Sequence, residues 1–186
     1  MALLPHCNTI SATVDTIHRR VGYAGGKLRL ADVFDAYPGF ELVEVDRARL
    51  PHGASAALIR SRGIATIAID ATQPRKRLRF SLAHEVGHAM LHAGHVREFR
   101  LAAKTRRGDE ILERQANYFA SELLVPMWAL DRALPRRLRV GALSHSAPRP
   151  VLLALADRFD VSLSMMAIQF AAYASLRATP LGQASA

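Results

Sequence analysis

The alternation of apolar and polar positions divides the chain into three stretches. Residues 9–21 and 29–37 carry apolar side chains at helical spacing and read as short amphipathic helices, the second stopped by Pro38-Gly39. The period then changes to two. Phe40 to Val45 (FELVEV) alternates like a half-buried strand, and Ala54 to Arg60 and Gly63 to Asp70 follow as two more strands, with Ser61-Arg62-Gly63 between them as a hairpin turn. From Pro74 onward the pattern is helical again. Leu78, Leu82, Val86, Ala89, Met90 and Ala93 form one stripe, with Gly94 as the stop. A second helix over Asp109 to Val125 places Leu112, Ala116, Phe119 and Leu123 on its core stripe and ends at Pro126. Pro135 to Pro150 reads as a loop or hinge. Val151 to Tyr173 reads as two helices broken near Asp160-Val161-Ser162, and the tail after Thr179 as frayed. The class is therefore α+β, with a small N-terminal sheet ahead of the helices. The boundaries expected are a domain over 1–134 and a C-terminal helical extension over 135–186.

Composition narrows the setting. The chain has 186 residues, half of them apolar, enough for a buried core, and no apolar run approaches the roughly 20 residues that span a bilayer. Met1 to Asn8 is too short and too broken by Pro5 and His6 for a secretory signal. Cys7 is the single cysteine, which excludes an intrachain disulfide, so a cytoplasmic location is the expectation. The net charge of +9 comes mostly from arginine and favours acidic partners, nucleic acid among them. The clusters Arg75-Lys76-Arg77 with Arg79, and Arg136-Arg137 with Arg139, lack the aromatic interleaving of a single-strand binding surface, and they read as solvated faces.

The chemistry lies in one pentapeptide. On the helix after Pro74, His84 and His88 are one turn apart on the side opposite the apolar stripe, so both imidazoles can face one ion. Glu85 sits beside them and can reach a water on the metal without ligating it. His-Glu-x-x-His thus supplies two zinc ligands and a general base within five residues. A third ligand is needed. The three-histidine variant requires His at the tenth position after His84 and Gly at the seventh; those positions hold Gly94 and Leu91, and His95 falls one residue late. The other solution is a glutamate on the following helix with a polar residue one turn later to steady a ligand histidine. Glu113 followed by Asn117 satisfies it, with Glu110 and Glu122 as competing choices.

These residues resemble the ImmA/IrrE-type metallopeptidases. The matching blocks are RFSLAHEVGHAMLH (Arg79 to His92) and ERQANYFASELLVP (Glu113 to Pro126), supported by GIATIAID ahead of the helix and LADRFDVS (Leu155 to Ser162) after it. The resemblance covers roughly residues 40–170. It implies a zincin-like peptidase core binding Zn2+, with Glu113 as third ligand and Glu85 as catalytic base. It further implies cleavage of a DNA-binding helix-turn-helix repressor that controls phage, mobile-element or stress-response genes. Two departures stand out: the chain lacks the length for the C-terminal sensor-like domain of the larger radiation-response members, and its last helix reads Ile168-Gln169-Phe170 where an arginine and a leucine are expected.

A competing reading comes from Leu155 to Ser162, which also resembles the middle of a helix-turn-helix unit. Its reader helix, LSMMAIQF, has only Ser164 and Gln169 as polar groups, and the Met165-Met166 pair reads as core, so direct nucleic-acid binding is the weaker hypothesis. A repressor-binding helper without proteolysis is the third. The strand Gly63 to Asp70 is the expected edge for pairing an extended substrate. His92 and Tyr118 are candidates for stabilising an oxyanion, with helix capping and packing as their plainer roles. His6, His18, His52 and His145 lack ligand spacing and read as surface residues, Cys7 as part of a flexible end, and Trp128 as a packing anchor between core and C-terminal helices.

Overall fold

The computed structural model describes residues 7–50, 55–61, 63–92, 107–136, 138 and 147–178. Among them are α1 (Cys7–Arg20), α2 (Leu30–Ala36), β1 (Phe40–Glu44), a single 3-10 turn (Arg47–Arg49), β2 (Ala56–Ser61) and β3 (Ile64–Ile69). The helices α3 (Arg75–Leu91), α4 (Arg107–Leu124), α5 (Met127–Ala133), α6 (Arg149–Phe159) and α7 (Leu163–Ala178) follow. The arrangement is α+β. Gly94, His95 and most of the Pro135 to Pro150 stretch lie outside the described residues, as do His6, His52 and His145.

Two compact units divide the chain. One comprises Met1–Ala24 with Leu28–Leu124, the other Gly25–Lys27 with Val125–Ala186. In the first, the sheet runs in the order β1-β3-β2, with β1 parallel and β2 antiparallel to β3. Gly63 closes the hairpin at φ +85°, a conformation that a residue with a Cβ adopts only with strain. The strand expected to be the free edge, Gly63 to Asp70, is instead the central one. Its backbone is paired on both sides, Leu42↔Ile67 on one and Leu58↔Ile67 on the other, so it has no ladder left for a substrate. The open position next to the helices belongs to β2. Asp70 N–H donates to Ser55 O at 3.2 Å, and the antiparallel alternation from that pair turns the backbone groups of Ala56, Leu58 and Arg60 away from β3.

One face of the sheet lies against α3, which packs on its other side against α4; α1 packs on α4 in turn. This explains a second departure. A single apolar stripe was predicted for α3, but Leu82, Ala83, Val86, Gly87, His88 and Ala89 are all buried, because the helix is covered from two sides. Asp70 sets its entry: one carboxylate oxygen accepts from Thr72 N–H at 3.0 Å and the other from Gln73 Nε2 at 2.8 Å, which turns the chain out of β3 toward Pro74.

His18 is a correction. It is 4 % exposed, stacked on Tyr23 at 4.5 Å, with Nε2 donating to Leu123 O at 2.9 Å. The carbonyls of a helix's last turn have no partner within the helix, and a buried end needs one from elsewhere. His18 supplies it from α1, and burial holds its pKa below the usual histidine value against the pull of that bond. Spacing alone does not reveal this, since the acceptor is 105 residues away. Cys7, placed in a flexible end by the sequence, is the first residue of α1.

In the second unit, α6 and α7 pack together around Leu155, Phe159, Met166 and Phe170. Asp160 ends α6 at φ 55° and pairs with Lys27 at 3.3 Å. Ser162 then starts α7 by accepting from Met165 N–H at 3.1 Å. The Met165-Met166 pair is buried, and Gln169 is buried too, donating to Val125 O at 2.9 Å. Trp128 has its ring 3.7 Å from where a Cβ on Gly25 would sit and lies beneath the Arg132 guanidinium. No helix of the described residues is long and apolar enough to cross a membrane.

Candidate metal centre

Helix α3 carries two histidines one turn apart, and α4 must approach closely for a carboxylate to join them. Gly87 permits the approach. A Cβ built there would lie 2.9 Å from Phe119 Cδ1 and 3.2 Å from its Cβ, inside the separation that real side chains keep. With only hydrogen at that position, Phe119 is wholly buried against α3 and α4 sits near enough to bring in Glu113.

The outcome is a tight triad. His84 Nε2 lies 3.2 Å from Glu113 Oε2, His88 Nε2 lies 3.2 Å from Glu113 Oε1, and the two Nε2 atoms are 3.0 Å apart. One donor atom from each of the three residues falls within 4.8 Å of the others, a set able to hold a metal ion. Among the three glutamates considered for this place, Glu113 stands with the histidines; Glu110 is exposed and Glu122 is buried elsewhere on α4. Asn117, one turn after Glu113, puts Oδ1 3.0 Å from His84 Nδ1. The amide oxygen accepts, so His84 Nδ1 carries the proton and its Nε2 lone pair faces the triad.

Electrostatics follow from this crowding. Burial opposes charge on His84, yet the Glu113 hydrogen bond and the negative charges of Glu85 and Glu113 raise its pKa above 6.5. When protons take the metal's place on the two Nε2 atoms, hydrogen bonds from His84 and His88 hold the Glu113 carboxyl far below the usual carboxylate range. Without a cation these groups attract a proton into the space between them; a divalent ion satisfies the same donors better, because it meets two imidazole lone pairs and a carboxylate at once. The donor set therefore fits a metal.

Glu85 stands apart from the triad and is not one of its donors. Its pKa is raised chiefly by burial, with the charges of His84 and His88 pulling the other way, and its carboxylate accepts from the Leu58 N–H on β2. Arg60, two residues on, donates to the Ala89 carbonyl and ties the same strand to α3. A cavity of about 370 Å³ opens over these groups, lined by Ser55, Ala56 and Leu58 on the β2 side and by Arg77, Ser81 and the triad on the other.

Two residues at the centre hold places the sequence reading did not give them: His92, read as an oxyanion candidate or a helix cap, and Gln115, which it did not single out. His92 follows the last residue of α3, where its N–H closes the helix on His88 O, but its ring turns inward: Nδ1 is 3.0 Å from His88 Nδ1, and Nε2 is 3.0 Å from Gln115 Oε1. Position 92 continues the series 84, 88, 92 on one helix face, so a signal was present. Gln115 had none, since its partner is on another helix. Tyr118 has its hydroxyl 3.3 Å from Ser11 Oγ on α1, a packing role.

The model of the peptidase M78 family, the IrrE N-terminal-like domain, matches residues 42–170, more than half of the chain and including both α3 and α4. No curated protein matches the sequence.

Proposed function

The chain belongs to the peptidase M78 family, and on that footing we propose that it is a zinc-dependent endopeptidase with a zincin-like core that cleaves a DNA-binding helix-turn-helix repressor. The observation that carries the reading is the meeting of His84, His88 and Glu113 beside a half-buried carboxylate, Glu85, that is not among the donors. Held by these three ligands, a tetrahedral ion would keep one position for water or substrate, the mark of a catalytic site. Zinc held there supplies a Lewis acid for the peptide carbonyl and lowers the pKa of the attacking water.

The protein's own residues do the rest. His84 and His88 present Nε2, and Glu113 closes the set from α4. Asn117 holds the His84 ring. The raised pKa of Glu85 suits a group that must take a proton from water at its carboxylate and hand it to the leaving amine. An extended peptide pairs along β2, through outward backbone groups beside the cavity other than the Leu58 N–H that Glu85 holds, and not along β3. The alternative of direct base reading loses support from α7: with Gln169 buried and bonded to Val125 O, Ser164 is the exposed polar side chain left in LSMMAIQF. The repressor as substrate rests on the family resemblance, and action in the cytoplasm on the single cysteine, Cys7.

The test incubates the zinc-loaded protein with the repressor encoded beside its gene and follows cleavage by mass spectrometry. Glu85→Gln keeps its metal and loses about 10²–10⁴-fold in rate, whereas His84→Ala loses both metal and cleavage. A Glu85→Gln protein that cuts at the wild-type rate sinks the reading.

A further inference from the structure

We infer that His92 and Gln115 form a proton-ordering relay that holds His88 in the tautomer a metal requires, making them positioning residues for the centre; this rests on the metal-site reading above. The geometry is linear in its logic. The Gln115 carbonyl oxygen can only accept, so the His92 nitrogen 3.0 Å away, Nε2, carries the proton. A neutral imidazole has one N–H, so His92 Nδ1 is an acceptor. His88 Nδ1, 3.0 Å from it, must then donate, and His88 Nε2 is left with the lone pair that points at Glu113 and His84. Reversing the Gln115 amide reverses every bond in the chain and puts a proton on His88 Nε2, where it would block a metal.

Burial makes the ordering strict. His88, His92 and Gln115 are 4 %, 3 % and 9 % exposed, so bulk water cannot substitute freely for a mismatched partner. The two ligand histidines are thus steadied by different means. His84 leans on a single exposed amide, Asn117, while His88 is held through two buried links that reach from the end of α3 to α4. Gln115 lies between Glu113 and Asn117 in the chain, so one turn of α4 supplies a metal donor and both ring-orienting groups.

The experiment measures zinc affinity by chelator competition for the wild type, Gln115→Leu, Gln115→Glu and His92→Phe, with thermal melting of each metal-free protein alongside. The relay requires Gln115→Leu and His92→Phe to bind zinc about 10–100-fold more weakly. It also requires Gln115→Glu, which is an acceptor only, to bind at least as tightly as wild type whatever its melting temperature. A packing role predicts the opposite pattern, with melting shifts in all three and affinity unchanged. Should the Leu and Phe variants not fold, nitrogen-15 NMR of the wild-type zinc protein decides: His92 must show a protonated Nε2 and a bare Nδ1, and the reverse tautomer overturns the relay. A wild-type chain that takes up no zinc overturns the metal-site reading and the relay with it. Zinc uptake lost in His84→Ala but unchanged in His92→Phe overturns the relay alone.

Discussion

Replacing Gly87 with alanine tests how the two halves of the centre are brought together. The new Cβ would meet Phe119 Cδ1 at 2.9 Å and Phe119 Cβ and Cγ at 3.2 Å, against an optimal carbon–carbon separation of about 3.5–4.0 Å. Relief demands a movement of at least ~0.6 Å between α3 and α4, and Phe119 has no solvent to move into, being wholly buried. Overpacking of this kind costs about 1–3 kcal/mol, partly offset by the ~1 kcal/mol that alanine gains over glycine in a helix interior. The net expectation is a destabilisation of roughly 0–2 kcal/mol. The effect on the site should be larger than the effect on stability. Glu113 is on the displaced helix, and a shift beyond ~0.5 Å exceeds what a ligand constellation tolerates, so zinc affinity should fall by at least about tenfold. Denaturant melts and chelator competition read the two effects separately. Phe119→Ala in the Gly87→Ala background should recover part of the affinity, since it removes the Cδ1 and Cγ atoms that the new methyl meets. If Gly87→Ala binds zinc as tightly as wild type, the close helix approach is not what positions Glu113.

Removing the Asn117 acceptor should loosen the His84 ring: Asn117→Ala is expected to weaken zinc binding about 10–100-fold while Asn117→Asp, which still accepts at that position, retains it. Zinc affinity should fall with acid from a pH above 6.5, because Glu113 and Glu85 favour a proton on His84 and that proton competes with the metal. The slope approaches ~tenfold per pH unit for each proton displaced, and chelator competition across a pH series checks it; a flat profile down to 6.5 contradicts the triad's electrostatics. For His18 the sign is opposite to that of a histidine with a carboxylate partner. Its folded pKa lies below 6.5, so the unfolded chain binds the proton first and stability declines as pH drops under that value. His18→Gln should flatten this part of the melting curve against pH, and an unchanged slope would refute the assignment.

Much of the framework was legible in local pattern. The strands at 40–45, 54–60 and 63–70 and the helices predicted at 109–125 and 151–173 have counterparts close to their bounds, because alternation and helical spacing are properties of neighbours, whereas α5 was not predicted. His84, Glu85 and His88 were equally local, since one helical turn puts the two imidazoles on one side. Glu113 stood ahead of Glu110 and Glu122 because Asn117 follows it one turn later and the resemblance points to it, both matters of sequence within α4; that it meets α3 depends on what lies between the helices.

Three things were decided by tertiary structure. Strand order is one: a hairpin predicts that β2 and β3 pair, but the parallel seat of β1 beside β3 depends on distant contacts, and it is this that leaves β2 at the cavity. The burial of His18 is another, because the carbonyl that needs it is at the far end of the first unit's sequence. The third is the order of protons through Gln115, His92 and His88. The residue types along the chain pointed to a metal, since two imidazoles at helical spacing offer a pair of ligands to one ion. Which nitrogen is left bare to bind it is settled by hydrogen bonds between α3 and α4, which exist only once the chain has folded.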